Sequence, residues 1–274
     1  MDDTMKDGEQ VEKYTGPPVL GIVPFVSAGN QDNEVQSLSL LAHQALQSAL
    51  GETFRSIRTS LIFATPKGAP RVLHITRSSP GEGKTTVAVN TAITFAQTGN
   101  KVLLIDADLR NPSLHKVFLL PNTQGLTNYL ISDIEPVQIA QATNVTSLFV
   151  ITAGLVSPNP VELLSSGKML DLVSLAQEKF DYVVIDGPPI VGLADALVLT
   201  NLARASLVVV EADKTRAGAL VASIKWLSSA KARIVGCVLS KVTRIGSGYG
   251  YHYPYHYGYE ATDEQATLPK QPVS

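Results

Sequence analysis

No disulfide can form within this chain, because Cys237 is its single cysteine. The residue sits in the apolar stretch IVGCVL and reads as a buried, unreactive thiol. Neither sign of charge is in excess: 22 Lys and Arg face 24 Asp and Glu, for a formal net charge of −2. No basic run advertises a nucleic-acid or lipid surface, so nucleic acid is not expected as a partner. No apolar run reaches the roughly 18–20 residues of a membrane helix. The acidic opening MDDTMKDGEQ lacks the basic-then-apolar order of a signal peptide. These absences fit a soluble chain in a reducing cytoplasm. What is present is ordinary globular material: 274 residues, 45% hydrophobic and 17% charged, enough for one main domain.

The chain divides by pattern into three parts. Residues 1–36 mix prolines and polar residues around one short apolar run, PVLGIVPFV, and read as a strand or extended arm. Residues 37–245 carry the fold. Their first stretch, to residue 64, has helical spacing, as one long or two short helices with Gly51 as a break or boundary. From residue 71 the apolar runs RVLHIT, KVLLID, LFVIT, YVVIDG, SLVVVEA and RIVGCVLS alternate with helix-like stretches, among them 84–98, 161–179 and 217–230. Such runs do not alternate polar with apolar, as expected of strands covered on both faces. The predicted class is α/β, a mainly parallel sheet flanked by helices on both faces. Residues 246–274 read as a flexible, tyrosine-rich tail. In SGYGYHYPYHYGYE, Tyr249, Tyr251, Tyr253, Tyr255, Tyr257 and Tyr259 take every second place, yet Pro254 and the glycines argue against a ladder strand.

The sharpest chemical signal follows the first of the alternating strands. In SSPGEGKTT, the residues Ser79, Pro80, Gly81, Glu82, Gly83, Lys84, Thr85 and Thr86 form a glycine-rich turn opening a helix. Such a turn aims backbone N–H groups and the positive helix end at one place, which suits a phosphate chain. Lys84 adds a point charge and the Thr85 hydroxyl is placed for Mg2+, so ATP with Mg2+ is the expected cofactor pair. Ser78 stands where the usual phosphate loop has its first glycine. Two runs end in acids, VLLIDADLR and YVVIDGPP. In a parallel sheet Asp106, Asp108 and Asp186 would converge on the edge that carries the phosphate loop. A cation already bridging phosphates needs one or two of them, which leaves a carboxylate for another task.

This combination resembles the bacterial tyrosine kinases that regulate export of capsular and extracellular polysaccharide. They are a branch of the P-loop fold related to the partitioning and division-site ATPases. The resemblance covers roughly residues 19–259, with SSPGEGKTT as Walker A, LLIDADLR as Walker A′, VVIDGPP as Walker B and the tyrosine cluster at the end. It implies Asp106 as the base for the tyrosine proton and Asp108 and Asp186 in the metal shell. ETFRSIRTS is similar to the family element that packs on a neighbouring subunit, which implies Glu52, Arg55 and Arg58 at an oligomer interface, in a ring. The tail tyrosines become the substrate, phosphorylated in trans, with a phosphatase to reset them. Ser79 stands where the partitioning ATPases carry a second lysine, and Ser240 where the kinases often carry an adenine-contacting asparagine. VEKYTGPPVLGIVP is similar to the segment between membrane helix and kinase in fused members. The resemblance therefore implies the cytoplasmic part of a longer inner-membrane protein with its polysaccharide copolymerase segment. The alternative is an independent kinase activated by a separate membrane protein. Two other readings stand against the kinase: a switch ATPase and a nucleotide-dependent assembly scaffold.

Overall fold

The structure, a computed structural model, describes residues 3–26, 40, 43, 48–192, 194–203 and 205–243. Among these residues the strands are β1 Val19–Pro24, β2 Val72–Arg77, β3 Val102–Asp106, β4 Ala140–Ala142, β5 Leu148–Ile151, β6 Tyr182–Pro189, β7 Ser206–Glu211 and β8 Ile234–Val242. They form one sheet in the order β1-β8-β7-β2-β6-β3-β5-β4. Every pairing is parallel except that of β4 with β5. The helices are α1 Gly8–Thr15, α2 Ala49–Phe63, α3 Lys84–Ala96, α4 Leu114–Phe118, α5 Leu126–Ile131, α6 Pro136–Ile139, α7 Pro160–Leu164, α8 Gly167–Lys179, α9 Ala194–Ala203 and α10 Ala217–Ser229.

Period-two alternation along buried strands sorts side chains between two faces. Leu73, Ile75, Val102, Leu104, Val184, Leu207 and Val209 join Phe54, Ile57 and Leu61 of α2 and Val87 and Ile93 of α3 in one cluster. On the other face Leu103, Ile105, Val183 and Ile185 meet Leu172 and Val173 of α8 and Leu199 of α9. Val208, Val210, Cys237 and Leu239 meet Leu220 and Leu227 of α10 and Val11 of α1. The all-apolar runs are thus strands with helices on both sides, as their composition requires. Burial pushes the Cys237 thiol up to about 12.

Local signals set the boundaries. The Ser48 side chain accepts the Gly51 N–H at 3.0 Å, so α2 starts just before the glycine. The stretch 161–179 is two helices, because the chain breaks at Ser165 and Ser166, and Ser166 caps α8 by accepting the Met169 N–H. The apolar run near the start becomes β1, hydrogen-bonded to β8 at the sheet edge. Among the described residues, no helix is long and apolar enough to cross a membrane.

Candidate active site

β2 lies inside the sheet between β6 and β7. At its carboxyl end the chain turns through Ser78–Gly83 into α3. Gly81 and Gly83 have φ of 90° and 80°, a region that side chains disfavour. Helix α3 has no side-chain cap, which leaves its first N–H groups for an anion.

The loop is braced from below. Glu82 is buried and accepts the Ser79 N–H at 3.0 Å and the Thr215 hydroxyl, while burial raises its pKa. The Ser240 hydroxyl donates to the Glu82 carbonyl at 2.7 Å, and Lys241 Nζ to the Gly81 carbonyl at 2.6 Å. Thr215 is in turn tied to the first residues of the chain. Its carbonyl accepts the Met5 N–H at 2.8 Å, and the Met5 carbonyl accepts the Asp213 N–H at 2.8 Å.

β3 and β6 are parallel neighbours in a register that sets Asp106 beside Asp186, both fully buried. Asp186 Oδ1 is 2.8 Å from Lys84 Nζ, and its Oδ2 accepts the Thr85 hydroxyl at 2.9 Å. Asp108 Oδ2 is 3.4 Å from Lys84 Nζ and 3.7 Å from Arg77 Nη2, and its Oδ1 accepts the Asn111 N–H. Asp106 Oδ2 accepts the N–H groups of Ser113 and Leu114, both at 2.9 Å, and so caps α4. Its Oδ1 is buried without a partner. Burial, and then the neighbouring Asp186 charge, lift Asp106 to about 7, and burial raises Asp186 as well. Lys84, Thr85, Asp106, Asp108 and Asp186 therefore meet at one edge of the sheet.

Gly187, after Asp186, has a steric reason: a β-carbon there would sit 2.1 Å from His74 Nε2. The buried His74 ring meets Thr200 Oγ1 at 3.0 Å, and burial, with Lys84 near, pushes its pKa down to about 3. It is a neutral filler behind the site. At the rim, Arg110 Nε is 2.8 Å from Asp195 Oδ2, tying the loop after β3 to α9.

Glu52 and Arg55 pair with each other on α2. Arg58 instead reaches the Thr94 carbonyl of α3 in the same chain at 2.9 Å. Tyr249, Tyr251, Tyr253, Tyr255, Tyr257 and Tyr259 lie outside the described residues. Sequence reasoning missed Arg77 and Thr215. Thr215 lies 133 residues from Glu82, with no motif to announce it. Arg77, beside the motif, could have been noticed as a charge closing an otherwise buried strand.

The family model for ParA proteins, described as NUBPL iron-transfer P-loop NTPase, matches residues 69–247. Tyrosine-protein kinase YwqD of Bacillus subtilis is 40% identical over 215 residues, 78% of this chain and 91% of that protein. Tyrosine-protein kinase etk of Escherichia coli K12 is 34% identical over 225 residues, which are 82% of this chain and 31% of the longer protein. The solved kinase domain of the Escherichia coli tyrosine kinase ETK superposes with a TM-score of 0.79 at 32% identity, covering 91% of this chain and 99% of that one.

Proposed function

The chain belongs to the bacterial tyrosine kinases, within the ParA class of P-loop NTPases, and on that premise we propose that it is an ATP-dependent protein-tyrosine autokinase. Its acceptors are the tail tyrosines, modified in trans between copies. The carrying observation is the meeting of a braced phosphate loop with Asp106, a buried carboxylate having one oxygen free and a pKa near neutrality. A base of that strength is matched to its work at physiological pH.

The backbone N–H groups from Gly81 to Thr86 receive the phosphate chain, and Lys84 supplies charge to it. Asp106 takes the phenolic proton as the tyrosine oxygen bonds to the γ-phosphorus. The bond from that phosphorus to the bridging oxygen breaks and ADP leaves. Such a transfer asks mainly for positioning and charge neutralisation. Thr85, Asp108 and Asp186 would hold Mg2+, which supplies positive charge against the phosphates. The donor set fits that use: oxygen ligands, the Thr85 hydroxyl on the Asp186 carboxylate, with Asp108 beside the same Lys84. Mg2+ bound in that manner arrives with its nucleotide.

The parts then divide as an arm (1–36), a P-loop kinase domain (37–245) and a substrate tail (246–274). The kinase works at the cytoplasmic face of a bacterial inner membrane, as a homo-oligomeric ring, with a polysaccharide copolymerase segment fused or separate. A phosphatase returns it to the unmodified state, and the cycle controls capsular or extracellular polysaccharide synthesis and export. The chain spans about a third of the longer relative, which supports a role for a further segment.

Mass spectrometry of the full chain after Mg·ATP tests this. Up to six phosphoryl groups on the tail tyrosines are expected, with none in Lys84→Met or Asp106→Asn. Lys84→Met should also weaken ATP binding, whereas Asp106→Asn leaves it largely intact. ADP release without phosphotyrosine would put the switch ATPase in the kinase's place.

A further inference from the structure

Arg77 closes β2 at the lip of the phosphate loop, where its charge acts on the buried Glu82 of that loop. Its side chain is 13% exposed, so the guanidinium is largely withdrawn from water. Nε is buried without a hydrogen-bond partner. The acid it faces, Asp108, has Oδ2 3.7 Å from Nη2, beyond hydrogen-bonding reach. That same oxygen lies nearer to Lys84, at 3.4 Å. Lys84 lies closer to Asp186, at 2.8 Å, than Arg77 does to any acid oxygen in an ion pair with it, and the Arg77 Nε has no acceptor.

A withdrawn cation with unused N–H groups is costly unless an acceptor completes it. A counter-ion kept only to neutralise Asp108 would gain by closing to a charge-assisted hydrogen bond. The guanidinium fork instead matches an array of phosphoryl oxygens, and Arg77 directly precedes the phosphate loop with its Nη2 3.7 Å from Asp108. We infer that Arg77 is a further catalytic residue, which donates to the oxygens of the γ-phosphoryl group in transit. This rests on the kinase reading above. As the bond to the bridging oxygen breaks and the bond to the tyrosine oxygen forms, with the proton passing to Asp106, Arg77 stabilises the charge spread over the moving group.

The test compares wild type, Arg77→Gln and Arg77→Lys, each as the full chain with Mg2+. Binding of ADP, binding of ADP with fluoroaluminate, and phosphotyrosine formation from ATP are measured. For Arg77→Gln, transfer should fall about 100-fold or more while ADP affinity changes by less than about 3-fold. The tighter binding of ADP with fluoroaluminate should disappear, which a merely structural residue would not cause. Arg77→Lys keeps the charge without the fork and should lose roughly 10-fold in transfer. Equal losses for ADP and for ADP with fluoroaluminate, or an unchanged transfer rate, overturn the assignment. If Arg77→Gln does not fold, the same affinity ratio in Arg77→Lys decides. If the wild type forms no phosphotyrosine, the kinase reading fails, and the fluoroaluminate ratio still judges Arg77.

Discussion

At the scale of residues, the site is a set of acids kept close by strand register. Asp106 is held near 7 by burial and by Asp186 alongside, against an ordinary value of 3.8. The folded chain therefore holds a proton that the unfolded chain releases. The stabilisation is fully present below about pH 4 and is lost as pH rises through about 7. The charged groups acting on Asp106 are Asp186 and Lys84, and the N–H groups of Ser113 and Leu114 donate to it. Without nucleotide, the melting temperature should drop by about 5 °C between pH 5 and pH 8, from a linkage on the order of 2–3 kcal/mol. Asp106→Asn should flatten that drop, and Mg·ADP should shrink it by bringing cations to the acids. A scan by differential scanning calorimetry checks this, and an equal drop in both proteins would remove Asp106 as its source. The acids were legible in the sequence because a run such as VLLID or VVIDG can end in only one direction, at the carboxyl edge of a parallel sheet. The unpartnered Oδ1 of Asp106 and the loose placing of Arg77 were not legible, since they depend on distances between strands far apart in sequence.

At the scale of elements, the phosphate loop is stiff because other elements hold it. Glu82 spends one carboxylate oxygen on Ser79 inside the loop and the other on Thr215 after β7. Backbone bonds from residue 5 hold the Thr215 segment in place. Thr215→Val keeps the shape and deletes the donor, leaving a buried carboxylate short of a partner, at a cost of about 1–3 kcal/mol. Nucleotide affinity should fall about 3- to 10-fold, and deletion of residues 1–7 should act in the same direction. Titration with a fluorescent ADP analogue measures both, and unchanged affinity in Thr215→Val would show that the brace does not matter for binding. The strands and main helices were readable because fully apolar runs and helical periods are local signals. The β4 edge was not, because AQA carries no strand pattern and pairs only because β5 offers it an edge. The brace was hidden for a similar reason, being a tertiary contact of residues that look like ordinary turn polars.

At the scale of the whole molecule, the structure decides which variant tests the proposed assembly of copies. Arg58 is spent on the Thr94 carbonyl near the end of α3, and burial followed by the Arg55 charge lowers its pKa. Arg58→Ala would therefore loosen each copy, by about 1 kcal/mol. Arg55 pairs with the half-exposed Glu52 in a surface ion pair, so Arg55→Ala should cost the fold little. If α2 docks on a neighbouring copy, Arg55→Ala should shift the chain towards monomer with nucleotide binding preserved. Autophosphorylation should then become slow and steeply dependent on concentration, as expected of transfer between copies. Replacing all six tail tyrosines with Phe should act in the opposite sense. Each phosphate adds about −1.5 to −2 charge, which repels between crowded tails, while Phe keeps the ring and removes only the hydroxyl that accepts it. Light scattering with and without Mg·ATP reads both variants together. Wild type should dissociate on ATP, the six-Phe variant should stay assembled, and Arg55→Ala should begin small. If wild type and the six-Phe variant dissociate alike, accumulated tail charge is not what separates the copies, and nucleotide turnover itself must do so.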